Sequence, residues 1–196
     1  MVTAAKATRA VMPSSATASR APARMEHVLV GQQTALVIMR DVVALWCVGH
    51  KTAADIVYSA CDLLVNGLDG PALRALAAVP LDQADIEVAE LLEPAMKDIG
   101  LPYYSMGSTA SLQAGLVAMA SQTLSGAFTP RYLAAWAYET FGHQVDFAAD
   151  LARFDDVYEV GDGTNSTRED VDKEVIAEAR RIVESSGHES LGRRLS

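Results

Sequence analysis

One histidine lies just ahead of several aspartates, and this is the part of the sequence that comes nearest to a catalytic or metal site. His143 is followed by Asp146, Asp150, Asp155 and Asp156. Imidazole and carboxylate groups bind metals, and a bound metal can activate water for hydrolysis. However, a histidine that follows the end of a helix more commonly interacts with the free carbonyl groups of that helix. We therefore predict no metal, no cofactor and no catalytic residue. A metal-dependent hydrolase that uses His143 with Asp155 or Asp156 is kept as an alternative.

Calcium binding is a second chemistry to consider, because residues 146–178 hold eleven acids and only three bases. An EF-hand loop requires oxygen ligands and a glycine at fixed positions. A loop that starts at Asp156 puts Tyr158 in a ligand position, and one that starts at Asp162 puts Arg168 near the glycine position. The spacing therefore excludes an EF-hand. The sequence also lacks GxSxG, Walker A and GxGxxG motifs, so nothing indicates a nucleophile elbow or a phosphate loop.

The elements that must position these residues are helices, since no strand pattern competes with the helix start and stop signals. The clearest helix follows Thr129-Pro130, an N-cap and a first-turn proline, and ends at Gly142. Asp146 is expected to cap the next helix, and Ser186-Gly187 to end the last one. Two further helices begin with a capping-box pattern, Thr52 with Asp55 and Thr167 with Asp170. We predict a compact all-α bundle of seven or eight helices in a single domain.

The N-terminal residues differ from the rest in composition. The first 24 residues hold four bases and no acid, and they are rich in Ala, Ser, Thr and Pro. We predict a disordered basic tail over residues 1–25, a helical domain over residues 26–185 and a flexible tail over residues 186–196. A transit peptide, or a translation start at Met25, is the alternative for the first segment. No apolar run has the length of a signal peptide, so we expect a cytoplasmic protein.

Residues 34–48 are the most apolar stretch of the chain, but Arg40 and Asp41 interrupt it. A membrane span needs about 20 predominantly apolar residues. The stretch therefore favours a buried core helix or a subunit interface over a membrane helix. We predict no membrane association, and we consider a homodimer formed through residues 27–49.

The acidic charge bears on the class of partner. The chain carries −9, and removal of the +4 on the first 24 residues leaves −13 on the remainder. Nucleic-acid binding needs a positive surface, so we predict no nucleic-acid partner. We expect a non-enzymatic acidic helical interaction protein, such as a regulator, an inhibitor or an immunity-like factor, that binds a protein partner. A helix-turn-helix transcriptional regulator over residues 129–154 is a second alternative, although Arg153 is the single base of its second helix.

Three motifs resemble those of a known group of proteins. They are TPRxLAxWA followed by GH over Thr129–His143, FDDxY over Phe154–Tyr158, and DGPALRALA over Asp69–Ala77. Together they resemble uncharacterised small all-helical proteins of high-GC actinobacteria. The resemblance implies an all-helical fold and carries no activity. The candidate binding residues within these motifs are Trp136, His143, Asp155, Asp156 and Tyr158.

Overall fold

The computed structural model describes the backbone of residues 21–160 and 167–192, and the side chains of residues 29–160 and 167–186. Over this part of the chain there are eight α-helices and no strand, which confirms the prediction of a compact all-α domain. Most of the predicted basic tail and the last four residues lie outside it. The helices are α1 (Ala21–Cys47), α2 (Ala53–Val65), α3 (Pro71–Ala77), α4 (Ala84–Asp98), α5 (Thr109–Leu124), α6 (Pro130–Phe141), α7 (Ala149–Val160) and α8 (Arg168–Gly192).

Both predicted capping boxes are present. The Thr52 hydroxyl accepts from the Asp55 N–H at 3.3 Å, and the Asp55 carboxylate accepts from the Thr52 N–H at 2.8 Å. Thr167 and Asp170 bond in the same reciprocal way, both at 3.3 Å. Each box pairs amide groups that have no partner within the helix, so α2 and α8 begin where the sequence predicts.

Three helix ends differ from the prediction. α7 begins at Ala149, three residues after Asp146, because a turn closed by the Ala148 N–H on the Val145 carbonyl (2.9 Å) precedes it. α1 begins at Ala21, ahead of the predicted domain boundary. α8 continues through Ser186-Gly187 to Gly192, since a glycine inside a helix costs only about 1 kcal/mol and does not by itself end it.

The buried residues form two clusters, which contain different helices. The first cluster joins the middle of α1 to α2, α3 and α4, and the second joins the last turns of α1 to α5, α6, α7 and α8. The largest fully buried side chains of the first cluster are Met39, Ile56, Leu63, Leu73, Leu76, Val88, Leu92 and Met96. Those of the second are Leu45, Met119, Leu133 and Leu151.

α1 is the helix that belongs to both clusters. Met39 and Val43 lie in the first, and Ala44 and Leu45 in the second. Among the described residues, none of α2, α3 and α4 packs against any of α5 to α8, and the two groups are connected by α1, which packs against α2 and α5. The α1–α5 contact is close at Gly115 of α5, where an added Cβ would lie 3.1 Å from the Ala44 carbonyl oxygen and closer still to Val48. None of the described helices combines the length and apolarity needed to cross a membrane.

Candidate functional site

His143 and Asp156 are brought together at the junction of α6 and α7. α6 is capped at its C-terminus by Gly142, whose φ of 60° is in the left-handed region that glycine adopts readily. This turn places the His143 Nε2 atom 3.3 Å from Asp156 Oδ2, with its ring 5.1 Å from that of Tyr138. Both side chains of the pair are exposed. The result is a histidine–carboxylate contact beside an open groove formed by residues 138–144.

Asp155 does not join this pair. Its side chain is half-buried and has no hydrogen-bond or ion-pair partner in the described part of the chain. Over the same residues, no group of three or more His, Cys, Asp or Glu side chains is placed to hold a metal ion. His143 and Asp156 therefore offer two ligands at most, whereas a catalytic zinc site has three protein ligands.

Tyr158 is buried and connects three helices. Its hydroxyl donates to Asp172 Oδ1 of α8 at 2.5 Å, and the Arg131 guanidinium of α6 lies 5.8 Å from the ring centre. Burial, and then the hydrogen bond and negative charge of Asp172, raise the pKa of the Tyr158 hydroxyl. A neutral, hydrogen-bonded tyrosine in this position connects α7 with α6 and α8.

Trp136 is also buried. Its ring packs edge-on against Phe141 at 5.4 Å, and Phe141 packs in turn against Phe147 at 5.4 Å. These rings are part of the second cluster. Of the five candidate binding residues, the structure thus places Trp136 and Tyr158 in the core, His143 and Asp156 at the surface in contact, and Asp155 apart from them.

A groove of about 450 Å³ lies between α7 and α8. Arg153 and Arg181, which line it, are engaged by carboxylates on the same helices: Arg153 lies 3.0 Å from Asp150, and Arg181 pairs with Glu178. Both arginines of this groove are thus paired within the chain, while Glu174, which also lines it, is exposed and has no hydrogen-bond or ion-pair partner among the described residues.

α4 carries an exposed acidic surface. Five exposed carboxylates on α4 and the turn before it have no hydrogen-bond or ion-pair partner among the described residues: Asp82, Asp85, Glu87, Glu90 and Glu93. We call these five residues the α4 acidic face. Leu81, which precedes Asp82, and Ile86, which lies between Asp85 and Glu87, are also exposed. The excess of acids over residues 82–98 is visible in the sequence, but their lack of partners is not.

The comparisons with known proteins do not add to this geometry. No protein-family model matches the chain, and no curated protein or solved structure matches it. The resemblance to actinobacterial helical proteins stays a prediction from the three motifs.

Proposed function

We propose that the protein is a non-enzymatic interaction protein, acting as a regulator, an inhibitor or an immunity-like factor, and that the α4 acidic face binds a basic surface of its protein partner. The observation that carries the proposal is the lack of partners for these five carboxylates. Charged surfaces that complement each other speed association and select the partner.

The acids of α8 provide a contrast within the same molecule. Glu169 and Asp170 lie 3.2 Å and 3.4 Å from Lys173, and Glu178 pairs with Arg181. The negative charge of α8 is thus partly balanced inside the chain, while that of the α4 acidic face is not. Exposed Leu81 and Ile86 add apolar area near the acids. A partner that presents Lys or Arg around an apolar side chain fits this combination.

Charge reversal tests the proposal. One variant replaces Glu87, Glu90 and Glu93 of α4 by lysine. A matched variant also introduces three lysines, in place of three other exposed glutamates, Glu139, Glu159 and Glu184. Both variants change the net charge equally. We expect affinity capture with quantitative mass spectrometry to recover a protein with the native chain and the matched variant that the α4 variant does not recover. Equal recovery by all three chains would contradict the proposal.

The contact between His143 Nε2 and Asp156 Oδ2 favours the hydrolase as a second candidate function. Metal analysis of the purified native chain and of His143→Ala separates it from the first. Stoichiometric Zn, Mn or Fe in the native chain that is lost in His143→Ala would replace the interaction protein by the enzyme.

The transcriptional regulator is tested by duplex DNA binding at low salt. In α7, the second helix of that alternative, Arg153 already lies 3.0 Å from Asp150. Binding that weakens steeply with salt would support the regulator. Absence of a shift would count against it.

A cytoplasmic location is part of the same proposal. Its support is that Cys47 and Cys61 are free thiols, whereas structural disulfides are typical of oxidising compartments. Fractionation of cells that produce the full chain tests this location. Recovery of the chain from the membrane fraction or the medium would contradict it.

A further inference from the structure

α1 exposes apolar side chains on the face that turns away from the first cluster. Leu29 is 57% exposed, Val30 60%, Val37 45% and Ile38 47%. On the opposite side of the same turns, Ala35 and Met39 are buried. Exposed Gln33 and Thr34 lie midway between the two apolar pairs. We call these six exposed residues, Leu29, Val30, Gln33, Thr34, Val37 and Ile38, the α1 face.

The charge of the α1 face indicates which occupant it fits. Among the described side chains, the charged ones nearest to the face are Arg40 and Asp41, which bond to each other at 2.7 Å and 2.9 Å and so add no net charge to it in a chain of −9. A basic partner is attracted to unbalanced acids such as those of α4, and gains nothing from a neutral apolar helix. A second copy of this acidic chain is repelled by those acids and can approach closely only where they are absent.

The spacing of the α1 face is self-complementary in an antiparallel arrangement. When a two-fold axis passes between Gln33 and Thr34, residues at equal distances from the axis come opposite each other on the two copies. Every exposed apolar residue then meets an apolar residue, and the polar residues meet each other. The pairs are Leu29 with Ile38, Val30 with Val37, and Gln33 with Thr34.

We propose that the α1 face is a homodimer interface in which two α1 helices pack antiparallel about a two-fold axis between Gln33 and Thr34. A parallel arrangement would also match apolar residues, but it brings Arg40 next to Arg40 and Asp41 next to Asp41. The antiparallel arrangement separates Arg40 from Arg40 and Asp41 from Asp41, bringing Arg40 opposite His27 and Asp41 opposite Glu26 in register, and it opposes the helix dipoles.

The size of the face sets the expected affinity. Residues 29–38 span about 15 Å of helix. Such a contact is smaller than the roughly 800 Å² per partner of a standard stable interface. The dimer is therefore expected to be in equilibrium with monomer at micromolar concentrations. It does not depend on the partner of the α4 acidic face, so either proposal can fail without the other.

A matched pair of isoleucine substitutions tests the interface. Ile38→Glu places a charge in the α1 face, and Ile86→Glu makes the same change on α4, where Ile86 is 70% exposed. We expect sedimentation equilibrium of the full chain to give dimers at high micromolar concentration for the native chain and Ile86→Glu, and monomers for Ile38→Glu. A monomeric native chain, or equal dimerisation by Ile38→Glu, would overturn the proposal.

Disulfide formation tests the register in a background that carries Cys47→Ala and Cys61→Ala. Residues 30 and 37 of one helix are about 10 Å apart, beyond the roughly 7 Å Cα separation that a disulfide allows. A mixture of Val30→Cys and Val37→Cys chains is expected to form a mixed disulfide on mild oxidation, while Val30→Cys alone forms several-fold less. Efficient cross-linking of Val30→Cys to itself, or none in the mixture, would overturn the antiparallel register. Circular dichroism checks that the background keeps its helix content, and the isoleucine pair needs no such background.

Discussion

Asp98 is the residue whose role differs most from what its surroundings in the sequence indicate. It ends the acidic helix α4, yet its Oδ2 atom accepts hydrogen bonds from the Ala72 N–H (2.7 Å) and the Leu73 N–H (3.2 Å) in the first turn of α3. The residue before α3, Gly70, has no side chain to supply a cap, and a Cβ there would lie 2.6 Å from Asp98 Cγ. Asp98 thus supplies the missing cap from another helix, and the absence of a side chain at Gly70 gives it room.

Removal of this cap should destabilise the protein. We expect Asp98→Ala to lower the free energy of unfolding by about 1 kcal/mol, because two amide groups at the start of α3 lose their acceptor. Glu93→Ala, an exposed acid of the same helix, is the control and should change it by less than about 0.5 kcal/mol. Urea unfolding followed by circular dichroism measures both. Equal effects would show that Asp98 contributes only its charge.

Tyr158 gives a prediction in alkaline solution. Burial and Asp172 raise its pKa, so the folded protein holds the hydroxyl proton more tightly than the unfolded chain does. The stability from this group is complete below the ordinary tyrosine pKa of 10.0 and is lost as the pH rises above it. Tyr158→Phe should lower the free energy of unfolding by about 1 kcal/mol at neutral pH. The difference in free energy of unfolding between Tyr158→Phe and the native chain should become smaller above about pH 10.

Urea unfolding between pH 8 and about pH 11 checks this dependence. Exposed Tyr58 provides the control, and Tyr58→Phe should follow the native chain throughout. A difference between Tyr158→Phe and the native chain that stays constant with pH would contradict the assigned cause.

At the scale of helices, the sequence predicts most where the contacts that decide are local. On α6, Leu133, Trp136, Ala137 and Phe141 recur at helical spacing and are all buried. The capping boxes of α2 and α8 involve residues three positions apart. The cap on α3 could not be predicted, because the accepting residue, Asp98, follows the two donors by 26 residues (Ala72) and 25 residues (Leu73). The same applies to Tyr158, whose amphipathic spacing indicates burial but not its bond to Asp172 of α8.

α1 and α5 show the same limit for packing. The small residues of α5 indicate that a neighbour can come close, but not which one. In the structure the neighbour is α1, and Gly115 provides the space that Val48 occupies. The apolar stretch of residues 34–48 predicts burial, while the split of α1 between two clusters and the α1 face appears only once the other helices are placed.

A double-substitution cycle measures this contact. Alanine is normally about 1 kcal/mol better than glycine inside a helix, yet we expect Gly115→Ala to lower the free energy of unfolding, since its Cβ would displace Val48. Val48→Ala removes the obstructing methyl groups, so the double variant should be more stable than the sum of the single effects predicts. Urea unfolding of the four chains gives the coupling energy. A coupling energy of zero would mean that Val48 is not the group that opposes a side chain at position 115.

At the scale of the whole molecule, two clusters joined by one helix pair predict two regions of separate stability. Cooperative units of a protein open with their own free energies and often coincide with compact groups of elements. The first cluster depends on α2, α3 and α4, and the second on α5 to α8, with α1 common to both. The α1–α5 contact determines how strongly the opening of one cluster changes the stability of the other cluster.

Matched leucine truncations and hydrogen exchange test this division. Leu73 and Leu133 are both fully buried, one in each cluster, and either leucine-to-alanine change should cost about 2–5 kcal/mol. We expect Leu73→Ala to accelerate amide exchange mainly in α2, α3 and α4, and Leu133→Ala mainly in α6, α7 and α8. Uniform acceleration across the molecule by either variant would show a single cooperative unit.

The division into clusters also follows the order of synthesis. The first cluster is made from residues 35–103, whereas the second needs helices that extend to α8. Protein chains generally fold from the N-terminal side as they leave the ribosome. The first four helices can therefore assemble while α5 is still in the exit tunnel. During that interval Ala44 and Leu45 lack the side chains of α5 to α8 that cover them in the finished molecule.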